Sequence, residues 1–148
     1  MALTMLDKTS DHADKSAWPA AIAAEFERER QNNNGCVGST LLSESERVRV
    51  WIIRLAPGER IGFHRHVLNY FWSATSGRGR QHFNDGETRE YTYSAGETRH
   101  ETYGPGEYKV HDLENIGDTD LIFVTVEFLE SANKPLVVRQ STRTQMVA

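Results

Sequence analysis

The chain has 148 residues, 38% of them hydrophobic and 26% charged, which suits one soluble domain built round one core. Its net charge of −4 argues against a nucleic-acid groove, and a lone cysteine, Cys36, excludes an internal disulfide and a cysteine-rich zinc module. No apolar run reaches the roughly 18 to 20 residues of a membrane span, and no basic stretch leads into an apolar one at the N-terminus, so the sequence predicts no signal peptide and a cytoplasmic location.

Residues 1–35 read as an N-terminal unit. The first 17 residues are small and polar and predict a loose arm. Ser16-Ala17-Trp18-Pro19 suits a helix entry, with proline near the first turn. Ala20–Arg30 follows as a short amphipathic helix with Ala20, Ala23, Ala24 and Phe26 on its apolar side, and Gln31–Gly35 ends it.

Beyond Gly35 the pattern changes to short β-branched or apolar runs separated by turn residues. Strands are predicted at Cys36–Leu42, Val48–Leu55, Gly62–Leu68, Tyr70–Thr75, Gly79–Phe83, Arg89–Tyr93, Glu107–Leu113 and Leu121–Leu129. Pro57-Gly58, Ser76-Gly77, Ala95-Gly96 and Gly104-Pro105-Gly106 punctuate them, and Asn84-Asp85-Gly86 is the clearest tight hairpin. Many short strands at this spacing predict an all-β sandwich or barrel. Leu136-Val137-Val138 suits one more strand or an arm swapped between copies, and residues 139–148 form a tail.

Six histidines occur, at positions 12, 64, 66, 82, 100 and 111. In an extended strand His64 and His66 project to the same side, close enough to share one ion. By itself such a pair reads equally as two exposed or hydrogen-bonded histidines. The surrounding residues change the balance: Gly58 lies six positions before His64, Gly77 eleven after His66, and His111 is followed four positions later by Asn115.

That arrangement resembles the two-part signature of the cupin superfamily, over roughly Val48 to Leu129. The second part is looser, because Pro105-Gly106 lies farther from His111 than is usual and Thr98–Thr102 reads as an insertion. The resemblance implies a double-stranded β-helix jelly roll over residues 36–138, with the short helix outside it. Tyr70 stands where most metal-binding cupins carry Glu. Together with Trp51, Pro57-Gly58, Gly62 and Val126-Glu127, it makes the chain similar to small bacterial cupins associated with β-alanine degradation.

The resemblance further implies one divalent transition metal on His64, His66 and His111, with Fe(II) favoured and Mn, Ni or Zn as alternatives. Three neutral ligands leave open positions and the ion's full formal charge, which favours anionic substrates. The activity implied is a dioxygenase acting on a small chelating organic acid or dicarbonyl. Tyr70 would share the cavity as the candidate catalytic residue: a ligand, a proton donor or a wall. The rival readings are an oxygen-independent lyase or isomerase and a non-catalytic binding protein. Metal-free epimerisation would need a His–Asp or tyrosine base pair in the cavity, and the sequence offers no clear one. A homodimer is expected because long strand edges invite pairing.

Other residues carry less. His82 reads as a surface or hydrogen-bonded histidine, His100 as exposed and His12 as incidental. Of Arg47, Arg49 and Arg54, an inward one could clamp a carboxylate, although a solvated strand face is the simpler reading. Trp51 and Trp72 read as wall or core aromatics, and Cys36 as a small buried apolar residue.

Overall fold

The computed structural model describes residues 6–138. The five residues before them and the predicted tail at 139–148 lie outside the described residues. One helix, α1 (Ala20–Arg30), precedes nine strands: β1 (Thr40–Glu44), β2 (Val48–Leu55), β3 (Arg60–His66), β4 (Tyr70–Ala74), β5 (Gly77–His82), β6 (Thr88–Tyr93), β7 (Thr98–Glu101), β8 (Lys109–Asn115) and β9 (Leu121–Phe128). They form two sheets, ordered β1-β2-β9-β4-β7 and β3-β8-β5-β6, and every strand pair is antiparallel. This is the expected all-β jelly roll with one short helix.

The facing sides of the two sheets bury Ile53, Leu55, Ala74, Tyr93, Leu113, Leu121 and Phe123, which close one end of the barrel. Alternation does most of this work: β2 and β9 bury every second side chain over most of their length. Asn115, matched to the cupin signature, belongs to that closed end. Its amide donates to the carbonyls of Leu55 and Thr119 and its carbonyl oxygen accepts from Gly117 N–H, so it ties the β8–β9 turn to the end of β2.

Helix α1 lies outside the four-stranded sheet. Phe26 is fully buried against Trp18 and Phe63, with Ile22 and Ala23 beside it, so the packed side is Ile22-Ala23-Phe26 while Ala20 and Ala24 stay exposed. The segment before the helix is held rather than loose. Asn84 donates to the carbonyls of Asp7 and Ser10, Tyr108 N–H donates to Lys8, and Trp18 Nε1 donates to Gly86. Gly86 sits at φ +84 in the β5–β6 hairpin, and a Cβ there would lie 2.4 Å from the Asp14 carbonyl, so glycine is required on both counts. Polar composition predicted looseness here; the pinning depends on Asn84, which is distant in sequence.

Three further segments depart from the sequence reading. Thr98–Thr102 is not an insertion: its first four residues are β7, paired with β4. The Cys36–Leu42 run becomes a strand only from Thr40, and Cys36 is half-buried. Leu136–Val138 forms no strand; Val138 packs with Val37, Leu41 and Trp51, and the Leu136 carbonyl accepts from Arg49.

Candidate metal centre

His64 and His66 reach the barrel interior through an irregularity in β3. Ile61 pairs with Leu113 and His64 pairs with His111, so three steps along β3 match two along β8. The extra residue lets Ile61 and His64 share the inner face although their spacing is odd. It also frees backbone groups, each of which finds a partner. Phe63 N–H donates to Glu25 Oε2 from α1, the Phe63 carbonyl accepts from Asn34 Nδ2, and the Gly62 carbonyl accepts from His64 Nδ1 at 2.9 Å.

The three histidines converge. One nitrogen from each of His64, His66 and His111 lies within 4.8 Å of the others. His64 and His66 are each 2% exposed; His111 keeps some exposed surface, though its ring is as deeply surrounded as theirs. Two tautomers follow from the partners. A carbonyl oxygen only accepts, so His64 carries its proton on Nδ1 and turns the Nε2 lone pair inward. His111 Nδ1 donates likewise to Gln81 Oε1 at 2.6 Å, and Gln81 is oriented by donating from Nε2 to the Tyr93 hydroxyl at 2.9 Å.

These residues fit a metal ion. His66 Nε2 lies 3.1 Å from His111 Nε2. Two nitrogens each about 2.1 Å from one ion, at about 90–109°, are separated by about 3.0–3.4 Å. His66 Nδ1 is buried without a hydrogen-bond partner, so no protein group competes to fix this ring. Burial also holds all three rings neutral, the form that binds metal. It lowers His64 to about 4 and takes His66 and His111 well below the ordinary histidine range, with the Lys109 charge acting in the same direction.

Tyr70 is buried and stacks on His66 at 4.2 Å between ring centroids. Its hydroxyl accepts a 2.5 Å hydrogen bond from Lys109 Nζ. Burial pushes this phenol well above its ordinary pKa, with the Tyr103 phenol and the Glu101 and Glu127 carboxylates acting the same way, so Tyr70 holds its proton at neutral pH. Lys109 lies directly across from His66 in the β3–β8 ladder and is 6% exposed. Burial brings its ammonium down to about 8, against the opposing pull of Glu101. Glu127, beside Tyr70 in the β4–β9 ladder, accepts from Trp51 Nε1 at 2.8 Å, and burial raises it to about 7.

Lys109 and Gln81 were not singled out from the sequence, and Glu127 entered only as part of the Val126-Glu127 resemblance, with no role assigned. Lys109 shares strand parity with His111, and that was the available signal; Gln81 becomes relevant only when β5 lies beside β8. Of the arginines, Arg49 is inward but pairs with Glu44 at 2.7 Å, while Arg47 and Arg54 are exposed. His82 is hydrogen-bonded, as read, and buried: its ring and its N–H both meet Asp112, itself bound to Arg60 at 2.8 Å. This His–Asp pair lies under α1 against Trp18, on the opposite face from His111, and so does not serve the cavity. His100 is exposed beside Phe71, and His12 is exposed next to Arg30. Two surface grooves of about 430 and 390 Å³ flank α1, and neither is lined by the three histidines.

No family model matches the sequence, and no curated protein does. Solved structures do match. A cupin domain from Bordetella pertussis Tohama I is 28% identical, with a TM-score of 0.53 over 60% of this chain and 88% of that one. A Klebsiella pneumoniae protein described as having a double-stranded β-helix domain is 26% identical, with a TM-score of 0.49 over 63% of this chain and 76% of that one. No helix among the described residues is long and apolar enough to cross a membrane. With two antiparallel sheets facing across three inward histidines, the chain folds as a double-stranded β-helix, the fold of the cupins.

Proposed function

We propose that the protein is a small cytoplasmic metalloenzyme that holds one divalent ion on His64, His66 and His111, and that it is an Fe(II)-dependent dioxygenase of a small chelating organic acid or dicarbonyl. The convergence of three neutral imidazoles, two with tautomers fixed by Gly62 and Gln81, carries this reading. Such outer partners orient metal-binding rings and strengthen them as donors. A bound ion would supply a Lewis-acid centre with open positions for substrate. No carboxylate joins the histidine group among the described residues, so an anionic ligand would meet an undiminished charge.

The chain's own groups define the rest of the pocket. Tyr70, protonated and stacked on His66, can donate a hydrogen bond to substrate. Lys109 keeps that hydroxyl in place. Phe83, which is 4% exposed and 5.7 Å from the His111 ring, keeps the site dry. The Lys109–Tyr70 pair also favours a second reading, an oxygen-independent lyase or isomerase, because such chemistry moves protons at neutral pH and this pair holds them beside the site. Resemblance to cupins associated with β-alanine degradation agrees with a small acid but does not choose between the two. The outer edges of β1, β6 and β7 support a homodimer, which light scattering would report as twice the chain mass.

An oxygen electrode separates the readings. Protein reconstituted with ferrous iron and offered a panel of small 2-oxo and 1,3-dicarbonyl acids should consume oxygen in proportion to substrate lost. Turnover without oxygen uptake rejects the dioxygenase in favour of the second reading.

A further inference from the structure

Lys109 is an unusual residue for a barrel interior. An ammonium has three N–H donors, and here one is used, toward the neutral Tyr70 hydroxyl. No carboxylate lies within ion-pair distance of Lys109 among the described residues, although the side chain is 6% exposed. A buried charge without a counter-charge is costly unless something else answers it. A second polar group nearby shares this condition: the Tyr103 hydroxyl, on the ring stacked 6.3 Å from Tyr70, is buried with no partner in bonding geometry. Both donors lie on the Tyr70 side of His66, whose own Nδ1 is unpartnered.

We propose that Lys109 is the substrate-specificity residue of this site, its two remaining N–H donors donating to a carboxylate oxygen of a small organic acid bound beside His64, His66 and His111. Tyr70 also fixes Nζ by accepting its hydrogen bond, while its own O–H donates to substrate and its ring is held by His66. This rests on the metal-site reading and sharpens it: the substrate carries a carboxylate, and a neutral dicarbonyl leaves Lys109 unanswered. Lys109 stands across from His66 in the β3–β8 ladder, so the anion would lie between the ammonium and the histidine group.

Calorimetric titration with oxalate, and separately with imidazole, which carries no carboxylate, tests this on the full chain at pH 7, both loaded with cobalt and after chelation. Lys109→Met should weaken oxalate binding about 10- to 100-fold in either form, the effect of losing a charge-assisted hydrogen bond. Imidazole binding and cobalt content should stay within twofold, and Lys109→Arg should restore part of the oxalate affinity. Equal oxalate affinity in wild type and Lys109→Met, or no oxalate binding by wild type, overturns the proposal. Should wild type take up no cobalt yet bind oxalate through Lys109, the metal reading fails and the anion site stands. Should Lys109→Met not fold, the wild-type protein decides: oxalate must shift the ¹⁵Nζ resonance of Lys109 and imidazole must not, and an unmoved resonance overturns the assignment.

Discussion

Gln81 shows how one side chain distant in sequence decides whether a histidine is a ligand. It accepts from His111 Nδ1 and is itself held by Tyr93, which leaves His111 Nε2 as a lone pair facing His66. Gln81→Leu should lower metal affinity about 10- to 100-fold in a chelator competition, with the fold intact by circular dichroism. Glu127 offers a second test, in pH. Its folded pKa of about 7 lies above the ordinary 4.5, so the folded chain binds a proton in that window that the unfolded chain does not. Stability must therefore fall as pH rises from about 4.5 to 7. Glu127→Gln should remove that slope and be more stable than wild type at pH 8 by about 2–3 kcal/mol in urea titrations, less whatever the Trp51 hydrogen bond contributes. At this scale the sequence was legible where residue type and spacing coincide, as at His64, His66 and His111. It was silent on Lys109 and gave Glu127 no role, because the importance of both comes from burial, and it could not place the Tyr70 proton, which burial holds in place.

The bulge in β3 and the helix that fills it are one device. Inserting a residue frees the Gly62 carbonyl for His64, and α1 supplies Glu25 for the exposed Phe63 amide. Glu25 also makes a two-pronged pair with Arg60, whose Nε reaches Asp112, the neighbour of His111. Asn34 covers the β3 edge from the same side, accepting from Arg65 N–H and donating to Phe63. Glu25→Ala should thus cost about 1–3 kcal/mol of stability and also loosen His64, seen as weaker metal binding; Glu27→Ala, on the exposed side of the same helix, should change neither. The helix and most strands were readable from periodicity. The bulge was not, because a single chain carries no register, and β7 was missed because its burial pattern is exposed almost throughout and lacks an apolar alternation.

For the whole molecule, three neutral histidines sit inside a barrel closed at one end by an apolar cluster and at the side by a pinned N-terminal segment. Buried rings with lowered pKa values make the metal-free fold acid-sensitive. Their contribution is complete above the ordinary value of 6.5 and is lost as pH falls toward about 4, where His64 takes a proton. This slope opposes that of Glu127, and chelated protein should lose stability from pH 6.5 downward while metal-loaded protein holds to lower pH. A metal at about 100 times its dissociation constant should add about 2.7 kcal/mol, read as a higher unfolding temperature that chelation reverses. The overall architecture was legible from strand spacing and the histidine signature together; the held arm was not, since it depends on contacts across the full length of the chain.

Elemental analysis of freshly purified protein, with His64→Ala and His111→Ala beside wild type, tests the three-histidine centre most directly. Wild type should hold one transition-metal ion per chain, or reach it on reconstitution, and each variant should fall to a small fraction of that while remaining folded. A full complement of metal in either variant, or none in reconstituted wild type, would contradict it.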